Sequence, residues 1–67
     1  MFKKIFSCIV NKVPSSQFEV NGHKYVLNVR PNDWAEFYND GSLIARGYSN
    51  LVAKQLRNMR NTGTLFA

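Results

Sequence analysis

The chain has 67 residues, so it makes at most one domain, and a domain of this size buries only about 60% of its unfolded surface. One cysteine (Cys8) and one histidine (His23) exclude an internal disulfide and a four-ligand zinc site, and no apolar run exceeds three residues, far short of a bilayer span. An apolar content of 45% with nine aromatics marks a globular chain rather than a disordered one, and the net charge of +5 points to acidic partners.

The first segment, residues 2–13, reads as an amphipathic helix. Phe2, Phe6, Ile9 and Val13 recur at spacings of four, three and four, with Ile5 beside them. Pro14 stops the pattern, because proline cannot continue the helical hydrogen-bond ladder. The helix is expected to cover the apolar face of a sheet rather than to lie on a membrane or in a partner's groove. Cys8 sits beside the apolar stripe, where a small buried thiol is commoner than a reactive one. A single free thiol also fits a reducing compartment such as the cytoplasm.

A hairpin is expected over about 17–30. Asn21-Gly22 is the strongest two-residue turn pair, since both residues tolerate positive φ. Such a loop pairs Val20 with His23 and Phe18 with Tyr25. Phe18, Val20, Tyr25, Leu27 and Val29 then share one face. Glu19 and Lys24 oppose each other on the other face, an opposite-charge pair that supports the register. His23 falls at the rim of the apolar face and reads as structural.

Pro31-Asn32-Asp33 is a turn by composition. A second hairpin is expected over about 34–47, turning within Asn39-Asp40-Gly41. With Asp40-Gly41 as the loop, Phe37 pairs with Ile44 and Tyr38 with Leu43. Trp34, Tyr38 and Leu43 then share one face, and Ala35, Phe37, Ile44 and Arg46 the other. Both faces carry large apolar groups, so alternation does not choose the buried one. A homodimer through this hairpin would account for two apolar faces.

The last element is a helix over about 49–61, with Ser49 or Asn50 as N-cap and Gly63 as the stop. Val52, Leu56 and Met59 form its apolar stripe, while Lys54, Arg57 and Arg60 lie away from it. Lys and Arg late in a helix also suit the negative end of its dipole, without any ligand. The tail Thr64-Leu65-Phe66-Ala67 ends apolar and either docks on the sheet or frays. The expected fold is a small α+β domain in which two antiparallel hairpins form a sheet packed by the two helices.

Charge is uneven along the chain. All four acids lie between Glu19 and Asp40, and residues 41–67 carry Arg46, Lys54, Arg57 and Arg60 with no acid. There is no Gly-rich phosphate loop, metal-ligand cluster or nucleophile elbow, so neither catalysis nor a cofactor or metal is expected. Basic side chains beside hairpin aromatics suit DNA or RNA: Arg46, Lys54, Arg57 and Arg60 to neutralise phosphates, and Trp34, Phe37, Tyr38 and Tyr48 to stack or pack. The alternative is a small phage or mobile-element accessory protein that binds and inhibits a host protein, docking the basic helix on an acidic surface.

The stretch Gly41-Ser42-Leu43-Ile44-Ala45-Arg46-Gly47 with Ala53-Lys54 resembles the last strand and final helix of double-stranded RNA-binding domains. That resemblance covers about fifteen residues. Where the family has a lysine cluster at the start of its last helix, this chain has Asn50-Leu51-Val52. Two hairpins are also one strand more than the family has.

Overall fold

The computed structural model describes residues 2–65, with Phe2 described in its backbone only. The expected place of the Phe2 side chain on the helix stripe, and of Phe66 and Ala67 in the tail, lies outside the described residues. The element order is α1 (Phe2–Val10), β1 (Ser15–Val20), β2 (His23–Val29), β3 (Trp34–Asn39), β4 (Ser42–Tyr48) and α2 (Ser49–Asn61). The strands form one antiparallel meander in the order β1-β2-β3-β4, and both helices pack on one face of it. This is the expected α+β architecture.

α1 is shorter than its periodicity predicts. Lys12 takes φ 55, its N–H donates to the Ile9 carbonyl at 3.2 Å, and the Val13 N–H donates to the Cys8 carbonyl at 3.0 Å. These are the two bonds of a Schellman ending, here with lysine at the left-handed position. Val13 is therefore outside the helix. The reason is local: a residue before proline is pushed out of the α region, so the last turn must close before Val13 is reached. Pro14 then leads straight into the sheet, its carbonyl accepting from the Val29 N–H at 3.1 Å.

The first hairpin has the predicted register, with Val20 opposite His23, Glu19 opposite Lys24 and Phe18 opposite Tyr25. Asn21 and Gly22 sit at φ 52 and 82, the two successive positive values that match a turn to the right-handed twist of its strands. Phe18, Tyr25, Leu27 and Val29 are buried. The Pro31-Asn32-Asp33 turn also forms as expected. Arg30 and Trp34 close it, the Asp33 N–H donates to the Arg30 carbonyl at 3.0 Å, and Asp33 takes φ 68. A turn followed by a left-handed residue is the usual way to close a three-residue hairpin loop.

The second hairpin departs from the simple alternation. Asp40-Gly41 is the loop and Tyr38 faces Leu43, but Phe37 faces Ala45 rather than Ile44. Ile44 is the extra residue of a β-bulge, so Ile44 and Ala45 both turn toward the core. The bulge shifts every later pair by one, giving Glu36 opposite Arg46, Ala35 opposite Gly47 and Trp34 opposite Tyr48. Arg46 therefore shares a face with Trp34 and Tyr38, not with Ala35 and Phe37 as strict alternation predicts. Gly47 absorbs the distortion at φ 141, a conformation L side chains rarely adopt.

The core lies between the inner sheet face and the two helices. Its largest fully buried side chains are Tyr25, Phe37, Ile5, Leu27, Leu56 and Val52. The Tyr25 and Phe37 rings stack at 5.5 Å and 16° in its centre. Burying each such side chain is worth about 1.5–3 kcal/mol. Ile5 and Ile9 of α1 are in this core, where α1 packs beside α2, while Phe6 of the same stripe is half-buried. Leu65 is buried as well, which docks the described part of the tail on the core.

α2 has its predicted span but not its predicted cap. The N-cap residue is Tyr48, with no side-chain cap bond; Ser49 is already the first helical residue. Ser49 is 5% exposed, and its backbone N–H donates to the Asp33 carbonyl at 2.8 Å. Its hydroxyl lies 2.9 Å from that carbonyl and 3.0 Å from Asp33 Oδ1. The start of α2 is thus held by the β2–β3 loop, which also brings a carboxylate to the positive end of the helix dipole. At the other end Gly63 and Thr64 close a Schellman ending on the Arg60 and Met59 carbonyls.

Candidate functional site

The bulge and the meander together divide the candidate residues between two surfaces. On the outer sheet face, away from both helices, the register lines up three cross-strand rows. One holds Gln17, Val26, Tyr38 and Leu43. The next holds Ser15, Asn28, Glu36 and Arg46. The third ends in Trp34 and Tyr48. Trp34 and Tyr48 meet edge to face at 5.7 Å. Trp34 and Tyr38 are half-buried, while Leu43 and Tyr48 are 47% and 55% exposed.

Charge on this face is balanced. Arg30 Nη2 is 3.1 Å from Glu36 Oε1. Arg46 lies across the strand pair from Glu36, and its guanidinium has no ion-pair or hydrogen-bond partner among the described residues. At the turn end, His23 Nδ1 donates to Asp40 Oδ2 at 2.8 Å and the Lys24 N–H donates to Asp40 Oδ1 at 2.9 Å. The His23 bond, with the Lys24 bond behind it, holds the Asp40 carboxyl below its ordinary value. His23 thus ties the tip of one hairpin to the tip of the other.

The helix layer is different. Lys3, Lys4, Lys12, Lys54, Arg57 and Arg60 are all exposed, and neither helix contains an acid. The sheet layer sets Lys24, Arg30 and Arg46 against Glu19, Glu36 and Asp40. Asp33, at the joint with Ser49, is the remaining acid. The protein's whole net charge of +5 therefore resides on the helix side. Arg57 lies over the Phe6 ring at 5.2 Å, a cation–π contact that joins the two helices. A groove of about 350 Å³ opens beside it, lined by the apolar Phe6, Ile9, Val10 and Ala53 and by charges of both signs, Lys12 and Arg57 with Asp33.

Two of the sequence-based placements change. Phe37 is 0% exposed and stacks inside the core, so it offers nothing to a partner. The basic helix and the hairpin aromatics do not form one surface: Arg46, Trp34, Tyr38 and Tyr48 are on the outer sheet face, and Lys54, Arg57 and Arg60 are on the helix layer behind it. Conversely, Lys3, Lys4 and Lys12 join that layer, although the chain-order asymmetry pointed only to residues 41–67. Their signal was present in the α1 pattern, where the lysines fall off the apolar stripe; what was missing was that α1 packs beside α2.

No group of three or more His, Cys, Asp or Glu side chains is placed to hold a metal among the described residues. Among those residues, no helix is long and apolar enough to cross a membrane. No protein-family model, curated protein or solved structure matches the chain.

Proposed function

We propose that this protein is a non-enzymatic nucleic-acid-binding module that grips the sugar-phosphate backbone with its helix layer. The observation that carries the reading is the segregation of charge: six cations on one side against the single acid Asp33 at the joint, no acid in either helix, and a neutral sheet behind. A surface of this kind releases condensed counterions when it meets a phosphate backbone, and that release drives binding with little regard to sequence. If all six cations engage phosphates on B-DNA, log K falls against log salt with a slope of about −5.

The test is binding to duplex and single-stranded DNA and RNA over a salt series. Neutralising Lys12, Lys54 and Arg57 together should flatten the slope by about 3 for duplex DNA. Binding that ignores salt, or that keeps its slope in this variant, would count against the proposal.

A second reading is favoured by the apolar groups among those cations. Val10 is 77% exposed and Leu51 49%, and a phosphate backbone has no use for either. An acidic protein surface with an apolar centre would use both. A pull-down from nuclease-treated lysate separates the two: a stoichiometric protein recovered by the native chain and lost in Leu51→Asp supports the second reading.

A further inference from the structure

We infer that the outer sheet face is the interface for a second copy of this chain, giving a two-fold dimer with the sheets packed against each other and the helix layers outward. The inference does not depend on nucleic-acid binding.

Two features choose this occupant. The first is charge over the whole molecule. The net charge lies on the helix layer, so two copies approaching by their helices repel each other, whereas two sheet faces meet without net repulsion. The second is the pattern within the face. In a two-fold contact, residue i meets residue j while j meets i. The middle row carries Glu36 and Arg46 on neighbouring strands, so the guanidinium that lacks a partner in one copy can meet the other copy's Glu36, whose carboxylate takes one bond from Arg30 through Oε1 and keeps acceptor capacity at Oε2. On either side of that row lie the apolar groups, Tyr38 with Leu43 and Trp34 with Tyr48, which suit sheet-on-sheet packing at a spacing of about 10 Å.

The area sets the expected strength. Four strands about 4.8 Å apart, each about 22 Å long, give a face of about 400 Å² in plan. Stable specific interfaces bury about 800 Å² per partner. The dimer should therefore be weak and reversible rather than obligate. Its consequence for the proposed function is geometric: the two basic layers point away from each other, so one dimer presents two separate cationic surfaces.

Sedimentation equilibrium of the full chain, without nucleic acid, tests the inference. The native protein should pass from monomer to dimer with rising concentration. Arg46→Glu alone and Glu36→Arg alone should each weaken self-association at least about tenfold, since each sets like charges across the axis. Mixing the two variants should restore the dimer as a mixed pair, because every Glu–Arg contact across the axis is then regained. Recovery on mixing cannot come from a folding defect in either variant. A chain that stays monomeric at all accessible concentrations, or variants that fail to complement while retaining native circular dichroism, overturns the inference. So does Trp34→Ala abolishing single-strand binding with the mass unchanged, since the face would then serve bases instead.

Discussion

The outer sheet face and the helix layer lie on opposite sides of one core, and they differ in kind. The sheet face is aromatic and electrically neutral, with its central carboxylate already bonded to Arg30. The helix layer is cationic, with scattered apolar groups and a shallow groove. The difference comes from how each element meets the core. β2 and β3 alternate throughout and β4 does so again after its bulge, so every second residue is displayed, and aromatics that could have filled the core stand outside. α1 and α2 commit one stripe each and expose most of the rest, in which every charged residue is lysine or arginine. A single buried layer thus separates two chemically distinct surfaces in a domain of 67 residues.

The largest effect that sharpens this comparison is on stability. Phe37→Ala should cost about 3–5 kcal/mol, since it empties the centre of the core beneath the stacked Tyr25 ring. The whole domain is expected to be worth only about 3–10 kcal/mol, so much of the population should unfold near ambient temperature. Trp34→Ala, three residues earlier on the same strand, should cost about 1 kcal/mol, largely its edge-to-face contact with Tyr48. Urea denaturation of the pair measures the contrast. Equal losses would mean that the two faces of β3 are not as different as described.

Next in size is the effect of charge on binding. Neutralising Lys24, Arg30 and Arg46 on the sheet layer removes as many cations as neutralising Lys12, Lys54 and Arg57. Only the second set should flatten the salt dependence of nucleic-acid binding by about 3. Similar slopes for both variants would point to net charge rather than a defined surface.

Ser49→Ala probes the joint between the layers. It removes a buried hydroxyl that serves the Asp33 carbonyl and carboxylate at the first turn of α2. A loss of about 1 kcal/mol is expected, with amide protection reduced first in residues 49–53. A neutral result would leave the Ser49 backbone N–H as the sole tie that matters.

The smallest effect concerns the tie between hairpin tips. The folded protein holds the Asp40 carboxyl below its ordinary value of 3.8. Below that ordinary value the unfolded chain takes up a proton that the folded chain still refuses. The contribution of Asp40 is thus complete above it and is lost as pH falls through the lowered value. Asp40→Asn should therefore blunt the acid loss of stability between neutral and acid pH. Because Asp40 is exposed, the effect should also fade at high salt. Acid titrations that coincide for the native chain and Asp40→Asn would remove the tie from the account.

Much of this architecture was legible in the chain because its determinants are local. Asn21-Gly22 and Asp40-Gly41 accept positive φ in succession, and the two-residue loops set the register of the whole first hairpin and of the first two pairs of the second. The alternation from Phe18 to Val29 names its buried face without outside help. The 3.6-residue stripes of both helices, and Gly63 as a stop, rest on the same short-range geometry.

Tertiary packing alone decided the rest. Ile44 could alternate or bulge with equal local ease; the core's demand for apolar side chains at both 44 and 45 chose the bulge and turned Arg46 to the outer face. Burial of Phe37 rather than Trp34 was settled by which side of β3 the helices cover. The N-terminal lysines joined the basic layer only because α1 and α2 pack on the same side of the sheet, with Arg57 over Phe6. Spacing and turn chemistry act over a few residues and can be read along the chain. The choice of face, and with it the separation of an aromatic surface from a cationic one, depends on which distant elements share the core.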